Sequence, residues 1–247
     1  MKALIKIGGS LLDDPASRGS IARQIAALTG AITVVHGGGK QMTRFLEERG
    51  IASRFVGGLR VTTEETIDAV LKVLAGSVNT QLVAALGARA VGLTGIDAGL
   101  AAAEQLDPEL GFVGRVTGSD PAILNLLTTA GYLPVVACVA GGDFVYNVNG
   151  DSMAVAVASA WKVDRLVCLT DVAGVMDAEK RIVPELTVAA CMHLIETGVA
   201  TGGMQAKLNA AMEAVKNGVG EVRIVKGSEP NIVTRVFNKE VVGTAVI

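Results

Sequence analysis

Apolar residues along the chain follow two rhythms. Short apolar-rich runs occur at Ala3–Ile7, Ile32–Val35, Arg89–Thr94, Leu133–Val139, Arg165–Thr170, Glu221–Val225 and Val241–Val246. Their length and β-branched content predict buried strands. Between them, apolar positions recur at three- and four-residue spacing. That spacing predicts helices at Ser20–Leu28, after Lys40 (Met42, Phe45 and Leu46 on one face), Glu64–Leu86, Ala122–Ala130, Ser152–Trp161, Val188–Thr197 and from Thr201 to about Asn217. Strands alternating with helices predict an α/β protein with a mainly parallel sheet. Phe55–Thr63 reads as extended around a Gly57-Gly58 turn, and Gln105–Gly118 as a polar, loop-like stretch able to form a hairpin. No linker, repeat or low-complexity segment divides the chain.

One helix departs from the usual amphipathic pattern. Glu64–Leu86 carries a stripe of Ile67, Val70, Leu71, Leu74, Val78, Leu82 and Leu86, and Ala69, Val73, Ala75, Val83, Ala84 and Ala85 widen it around most of the helix. A helix apolar this far round is buried on two sides. One side is its own core, and the other calls for a partner, so a homodimer is expected.

The strand ends hold the chemistry. Ile32–Val35 runs into His36 and then Gly37-Gly38-Gly39 before a helix starts, a geometry that offers bare N–H groups and a dipole end to an anion. A plain turn would need fewer glycines. The P-loop pattern fails because Gln41 follows Lys40, and an esterase oxyanion loop lacks its G-x-S-x-G nucleophile elbow. The first strand ends in Lys6 and then Gly8-Gly9-Ser10, a second cradle with a cation beside it. A lysine in a central strand needs a partner. Arg60 reads equally well as an exposed strand arginine or as a carboxylate clamp. In Tyr146–Asp151, extended geometry would point Asn147, Asn149 and Asp151 the same way, and Asp151 also suits a helix N-cap. A loop at Asp171–Gly174 follows the Arg165–Thr170 strand. Thr201-Gly-Gly-Met204 opens a helix with Lys207 near its start, where a cation opposes the helix dipole unless an anion is bound.

Composition narrows the setting. The net charge of −2 makes no electrostatic case for nucleic acid or an acidic membrane. No uninterrupted apolar run reaches the ~18 residues of a membrane span, and Lys6 breaks the N-terminal apolar stretch, so neither a span nor a signal peptide is expected. Cys138, Cys168 and Cys191 are scattered among apolar neighbours, which points to free thiols in a reducing cytoplasm and to no protein-built metal site. Two glycine cradles and a lysine from each half of the chain are what phosphoryl transfer between two anions requires, because catalysis there is positioning and charge neutralisation.

Taken together, LIKIGGS, VVHGGGK, GGLRVT, NVNGDSMA, LTDVAGV and TGGMQAKL resemble the amino acid kinase family, from the first strand to the closing GTAVI. The resemblance implies a three-layer αβα sandwich with an open, mainly parallel central sheet. It further implies transfer of the ATP γ-phosphoryl group to the side-chain carboxylate of N-acetyl-L-glutamate, the second step of arginine biosynthesis. Carried over by motif, Lys6 and Lys207 would stabilise the transferring group, and Asp151 would orient them. Gly38, Gly39, Arg60, Asn147 and Asn149 would hold the acceptor. Gly8, Gly9 and Ser10 would cradle phosphate by backbone N–H groups. Asp171, Val172, Ala173, Gly174, Val175, Met176, Val199, Ala200 and Thr201 would line the ATP site. Mg²⁺ would be held mainly by ATP and water. Residues 1–150 would serve the acyl amino acid and 151–247 the nucleotide. Some family members are arginine-inhibited hexamers with an added N-terminal helix. With the first strand at about Ala3, a dimer indifferent to L-arginine is expected. Two other readings stand beside this one. A sister kinase would act on N-succinylglutamate or a carrier-linked aminoadipate. A non-catalytic nucleotide-binding protein would not need a cation on each side of the reacting centre.

Overall fold

A computed structural model describes residues 1–247. In chain order the strands of the first half are β1 (Lys2–Ile7), β2 (Ala31–His36), β3 (Phe55–Val56), β4 (Leu59–Arg60), β5 (Ala90–Thr94), β6 (Ala101–Gln105), β7 (Val113–Ser119), β8 (Leu133–Ala137), β9 (Val139–Gly141) and β10 (Val145–Val148). Those of the second half are β11 (Arg165–Thr170), β12 (Glu185–Leu186), β13 (Val222–Lys226) and β14 (Thr244–Val246). The helices are α1 (Pro15–Ala26), α2 (Gly39–Glu47), α3 (Glu64–Val70), α4 (Asn79–Leu86), α5 (Ala122–Thr129), α6 (Gly150–Trp161), α7 (Val188–Glu196), α8 (Gly202–Lys216) and α9 (Ile232–Phe237).

Eight strands form one sheet in the order β12-β14-β13-β11-β1-β2-β8-β5, antiparallel only between β13 and β14. The two-residue alternation of β1 sorts its side chains. Ala3, Ile5 and Ile7 join the core beneath α1–α4 and α9. Leu4 faces the core under α5–α8, and Lys6 faces the same way. Helices on both faces make the three layers expected of buried parallel strands. β1 lies between β2 and β11, so the chain changes direction across the sheet there, and such switch points open a crevice at the strands' carboxyl ends.

Several expectations are corrected. Leu133–Val139 is not one strand. The chain breaks at Cys138, leaving β8 in the sheet and sending β9 into a closed four-stranded barrel, β10-β7-β6-β9. The stretch read as loop-like around Gln105–Gly118 supplies β7 to that barrel, paired with β6. Its polar residues lie on the barrel's outer side, while Ala101, Ala103 and Val113 are buried. Glu64–Leu86 is helical throughout, but its middle, Leu71–Val78, is wound as a π-helix between α3 and α4. By length and composition alone that helix could cross a membrane, as a buried core helix also could. Val70, Val73, Leu74, Val78, Leu82 and Leu86 are instead part of the core. α9 was not foreseen, because six residues are too few for a periodic signal.

Candidate active site

The carboxyl ends of β1 and β2 place the two glycine loops against each other. A Cβ on Gly9 would lie 2.9 Å from the Gly39 nitrogen and 3.1 Å from Gly38, so the loops pack backbone to backbone and only glycine fits. Gly38 caps α2, whose first N–H groups have no partner within the helix. Gly8 behaves differently from expectation. Its N–H donates to the Leu169 carbonyl at 3.0 Å, extends the β1–β11 pairing and is unavailable to a phosphate.

Lys6 projects from β1 beside Asp151, with Nζ 2.6 Å from Oδ1, and Lys207 Nζ from α8 lies 3.8 Å from the other carboxylate oxygen. One carboxylate thus holds a cation from each half of the chain. Burial pulls the Lys6 ammonium down in pKa, but Asp151 foremost, with Cys168 and Cys138, offsets this and the net shift is upward. Burial likewise raises the Asp151 carboxyl, while Lys6 and then Lys207 reverse the effect and hold it below its ordinary value. Lys6 and Asp151 therefore form a charged pair at neutral pH, and Lys207 presents a second cationic side chain to the same carboxylate. Cys138 and Cys168 flank it, both pushed up to about 12 chiefly by burial, so they stay neutral thiols. The expected run of three same-facing polar groups is corrected. β10 ends at Val148, Asn149 turns to cap α6 by accepting from the N–H groups of Asp151 and Ser152, and Asp151 stands in the first helical turn, not at the cap.

A cavity of ≈ 170 Å³ is lined by Gly38, Gly39, Arg60, Asn147 and Asn149, so every residue expected to hold the acceptor meets there. Arg60 is only 9% exposed, which rules out the solvated strand arginine. It lies over the Phe55 ring at 4.6 Å and donates to Ser53, Thr43 and the Gly39 carbonyl. A larger cleft of ≈ 900 Å³ shares Asn149 and continues past Asp151 to Gly202, Gly203 and Lys207. Asp171 stands exposed at the end of β11, accepting from Thr170 Oγ1 at 2.8 Å. That bond leads the causes that lower its pKa, and Lys207 and Lys6 add to it. The segments Asp171–Met176 and Val199–Thr201 line neither cleft. Val175 and Ala200 are core residues, and both backbone groups of Val175 are engaged, its N–H by Thr244 Oγ1 and its carbonyl by Val183 N–H.

Other residues of the site escaped the sequence reading. His36 is fully buried. Its Nδ1 donates to the Gly37 carbonyl at 2.9 Å, and its Nε2 accepts from Asn79 Nδ2 at 3.0 Å. Burial drops its pKa to about 4, so the ring is neutral. Gln41 Nε2 donates to the Gly9 carbonyl at 3.1 Å, and Thr62 Oγ1 accepts from Asn147 at 3.1 Å. Asn79 carries no signal in the sequence, because it stands among Ser77, Thr80 and Gln81 in a polar stretch of the helix.

Comparison with known proteins agrees with this geometry. The profile described as the amino acid kinase family matches residues 1–226. A protein of Solibacter usitatus named acetylglutamate kinase is 61% identical over 255 aligned positions, covering 100% of this chain and 99% of that one. An acetylglutamate kinase of Acidobacterium capsulatum is 42% identical with the same coverage. Among solved structures, N-acetylglutamate synthase from Neisseria gonorrhoeae superposes with a TM-score of 0.87 at 22% identity, covering 99% of this chain, which spans 59% of that one. Carbamate kinase from Giardia lamblia gives 0.75 at 16% identity, covering 100% of this chain and 98% of that one. At such identities the two structures speak for the fold alone. The profile match and the full-length relatives speak for descent, and this chain belongs to the amino acid kinase family.

Proposed function

We propose that the protein is an acetylglutamate kinase, transferring the γ-phosphoryl group of ATP to the side-chain carboxylate of N-acetyl-L-glutamate in arginine biosynthesis. The observation that carries the mechanism is the Lys6–Asp151–Lys207 triad, of which Asp151 and Lys207 line the larger cleft that meets the acceptor cavity at Asn149. A carboxylate oxygen attacks the γ-phosphorus, the bond from that phosphorus to the β–γ bridging oxygen breaks, and ADP leaves with the bond's electrons. The nucleophile is already deprotonated, so no general base is needed. That accounts for an acidic residue held in ion pairs rather than poised for proton transfer. Lys6 and Lys207 neutralise charge on the phosphoryl oxygens, and Asp151 keeps their ammonium groups from drifting apart by mutual repulsion.

Arg60, Asn147, Asn149 and the free N–H groups of Gly38 and Gly39 orient the acceptor. All residues lining the acceptor cavity lie between Gly37 and Gly150, which supports an acceptor half of about 1–150 and a nucleotide half of about 151–247. On the nucleotide side, Gly202, Gly203 and Lys207 line the larger cleft together with Asp151, which supports reading that cleft as the ATP site. Asp151 is engaged by lysines, so Mg²⁺ would be held mainly by phosphate oxygens and water, with the exposed Asp171 at the end of β11 as a candidate protein carboxylate. The cation would reduce the charge repulsion between the two anions. Three free thiols support a cytoplasmic location.

An acyl-phosphate assay with hydroxylamine trapping tests the assignment. N-acetylglutamate should turn over far faster than glutamate or N-succinylglutamate. Equal rates on acetylglutamate and glutamate would sink it.

A further inference from the structure

The cation of the acceptor cavity is held in one pose. An arginine has five N–H donors, and three of those on Arg60 are engaged by protein. Nη1 donates to Ser53 Oγ, while Nη2 donates to Thr43 Oγ1 at 2.7 Å and to the Gly39 carbonyl at 3.1 Å. The Thr43 hydroxyl in turn donates to that same carbonyl at 3.0 Å. Guanidinium, hydroxyl and carbonyl thus close a ring of hydrogen bonds that joins β4 to the start of α2.

A threonine bonding the carbonyl four residues back is commonplace in helices and by itself only satisfies a hydroxyl. Here the hydroxyl also accepts a charge-assisted bond from a 9% exposed arginine, and the carbonyl they share belongs to the glycine loop. Moving Thr43 therefore moves Arg60 relative to Gly38 and Gly39. We propose that Thr43 is a positioning residue of the acceptor site, its hydroxyl setting Arg60 against Gly39 so that the guanidinium and the loop N–H groups meet the same bound carboxylate-bearing acceptor. The proposal rests on the reading of Arg60 as an acceptor ligand.

Steady-state kinetics on Thr43→Val, Thr43→Ser, Arg60→Ala and the Thr43→Val/Arg60→Ala double variant test it. Valine keeps the shape and removes the hydroxyl, and Thr43→Ala serves if the valine variant does not fold. The acceptor KM should rise roughly tenfold in Thr43→Val, on the scale of one charge-assisted hydrogen bond, with kcat and ATP KM changed by less than about twofold. Thr43→Ser should return the acceptor KM to near the wild-type value. In the Arg60→Ala background, Thr43→Val should add nothing, because two residues acting as a unit are not additive. An unchanged acceptor KM in Thr43→Val, equal damage to both substrates' KM, or fully additive effects would each overturn the proposal. Failure of the underlying reading shows separately, as an Arg60→Ala enzyme whose acceptor KM is unchanged.

Discussion

Lys6 and Lys207 share Asp151 unequally. Lys6 is at hydrogen-bond distance with its side chain 11% exposed, whereas Lys207 is 3.8 Å away and 24% exposed. Lys207 is thus the freer of the two to shift onto a phosphoryl group as charge develops. Replacing it with alanine should lower kcat by roughly 100-fold, the scale for losing one preorganised donor, while ATP KM changes little. A variant with normal kcat and raised ATP KM would make Lys207 a nucleotide tether instead. Asn149 has a separable structural duty. Its side chain accepts from two N–H groups at the start of α6, so Asn149→Ala should cost about 1 kcal/mol of stability in urea unfolding, and an unchanged midpoint would deny it the cap.

Among the elements, the helix spanning Glu64–Leu86 does more than cover the sheet. A Cβ on Gly38 would run into Leu74, and Asn79 binds His36 and the Val135 carbonyl, so this helix presses on the glycine loop at two points. A π-wound segment lies between α3 and α4, ending directly before Asn79, and local π winding often marks a place where helix geometry serves a site. Burial of His36 gives a testable pH dependence. Its pKa falls from 6.5 unfolded to about 4 folded, so the unfolded chain takes up the proton first. The stability this neutral ring contributes is whole above pH 6.5 and is lost as pH falls toward 4, on the order of 3 kcal/mol. Urea unfolding across that range should show a shallower fall in His36→Gln than in wild type, and parallel curves would refute the assignment. The contact between the two loops is tested by Gly9→Ala. Its methyl group would push Gly39 away and should reduce kcat/KM about tenfold or more, since small misplacements at a reacting centre are costly. Near-normal kinetics would show that the loops part without consequence.

For the whole molecule, the helix Glu64–Leu86 leaves apolar surface outside its own core. Leu71 is 37% exposed, and Ala84 and Ala85 are exposed on the same helix. Pairing that face with a second copy about a two-fold axis would cover it with one self-complementary patch. Light scattering should then give about twice the chain mass of 25.3 kDa. A monomer at that mass, or a dimer that Leu71→Lys leaves intact, would exclude this face.

The layered architecture and the strand ends where the candidate chemistry gathers were already written in the chain. Two-residue and three-to-four-residue periodicities report which faces are buried, and glycines at strand ends report where backbone must lie bare. Those signals are local, so the two glycine loops could be read from their own motifs, while the proposed roles of Lys6, Asp151, Lys207 and the acceptor residues follow from the family resemblance. Three-dimensional packing decided everything that depends on who stands next to whom. Arg60 could be read as exposed until Ser53, Thr43 and Gly39 were found around it. Gly8 looked like a phosphate donor until Leu169, 161 residues away, took its N–H. The small barrel was hidden because its strands are short and β9 follows β8 after a single residue, Cys138. His36 and Asn79, 43 residues apart, make a pair only because the start of α4 packs against the carboxyl end of β2 and brings them to 3.0 Å, and no pattern along the chain encodes that distance.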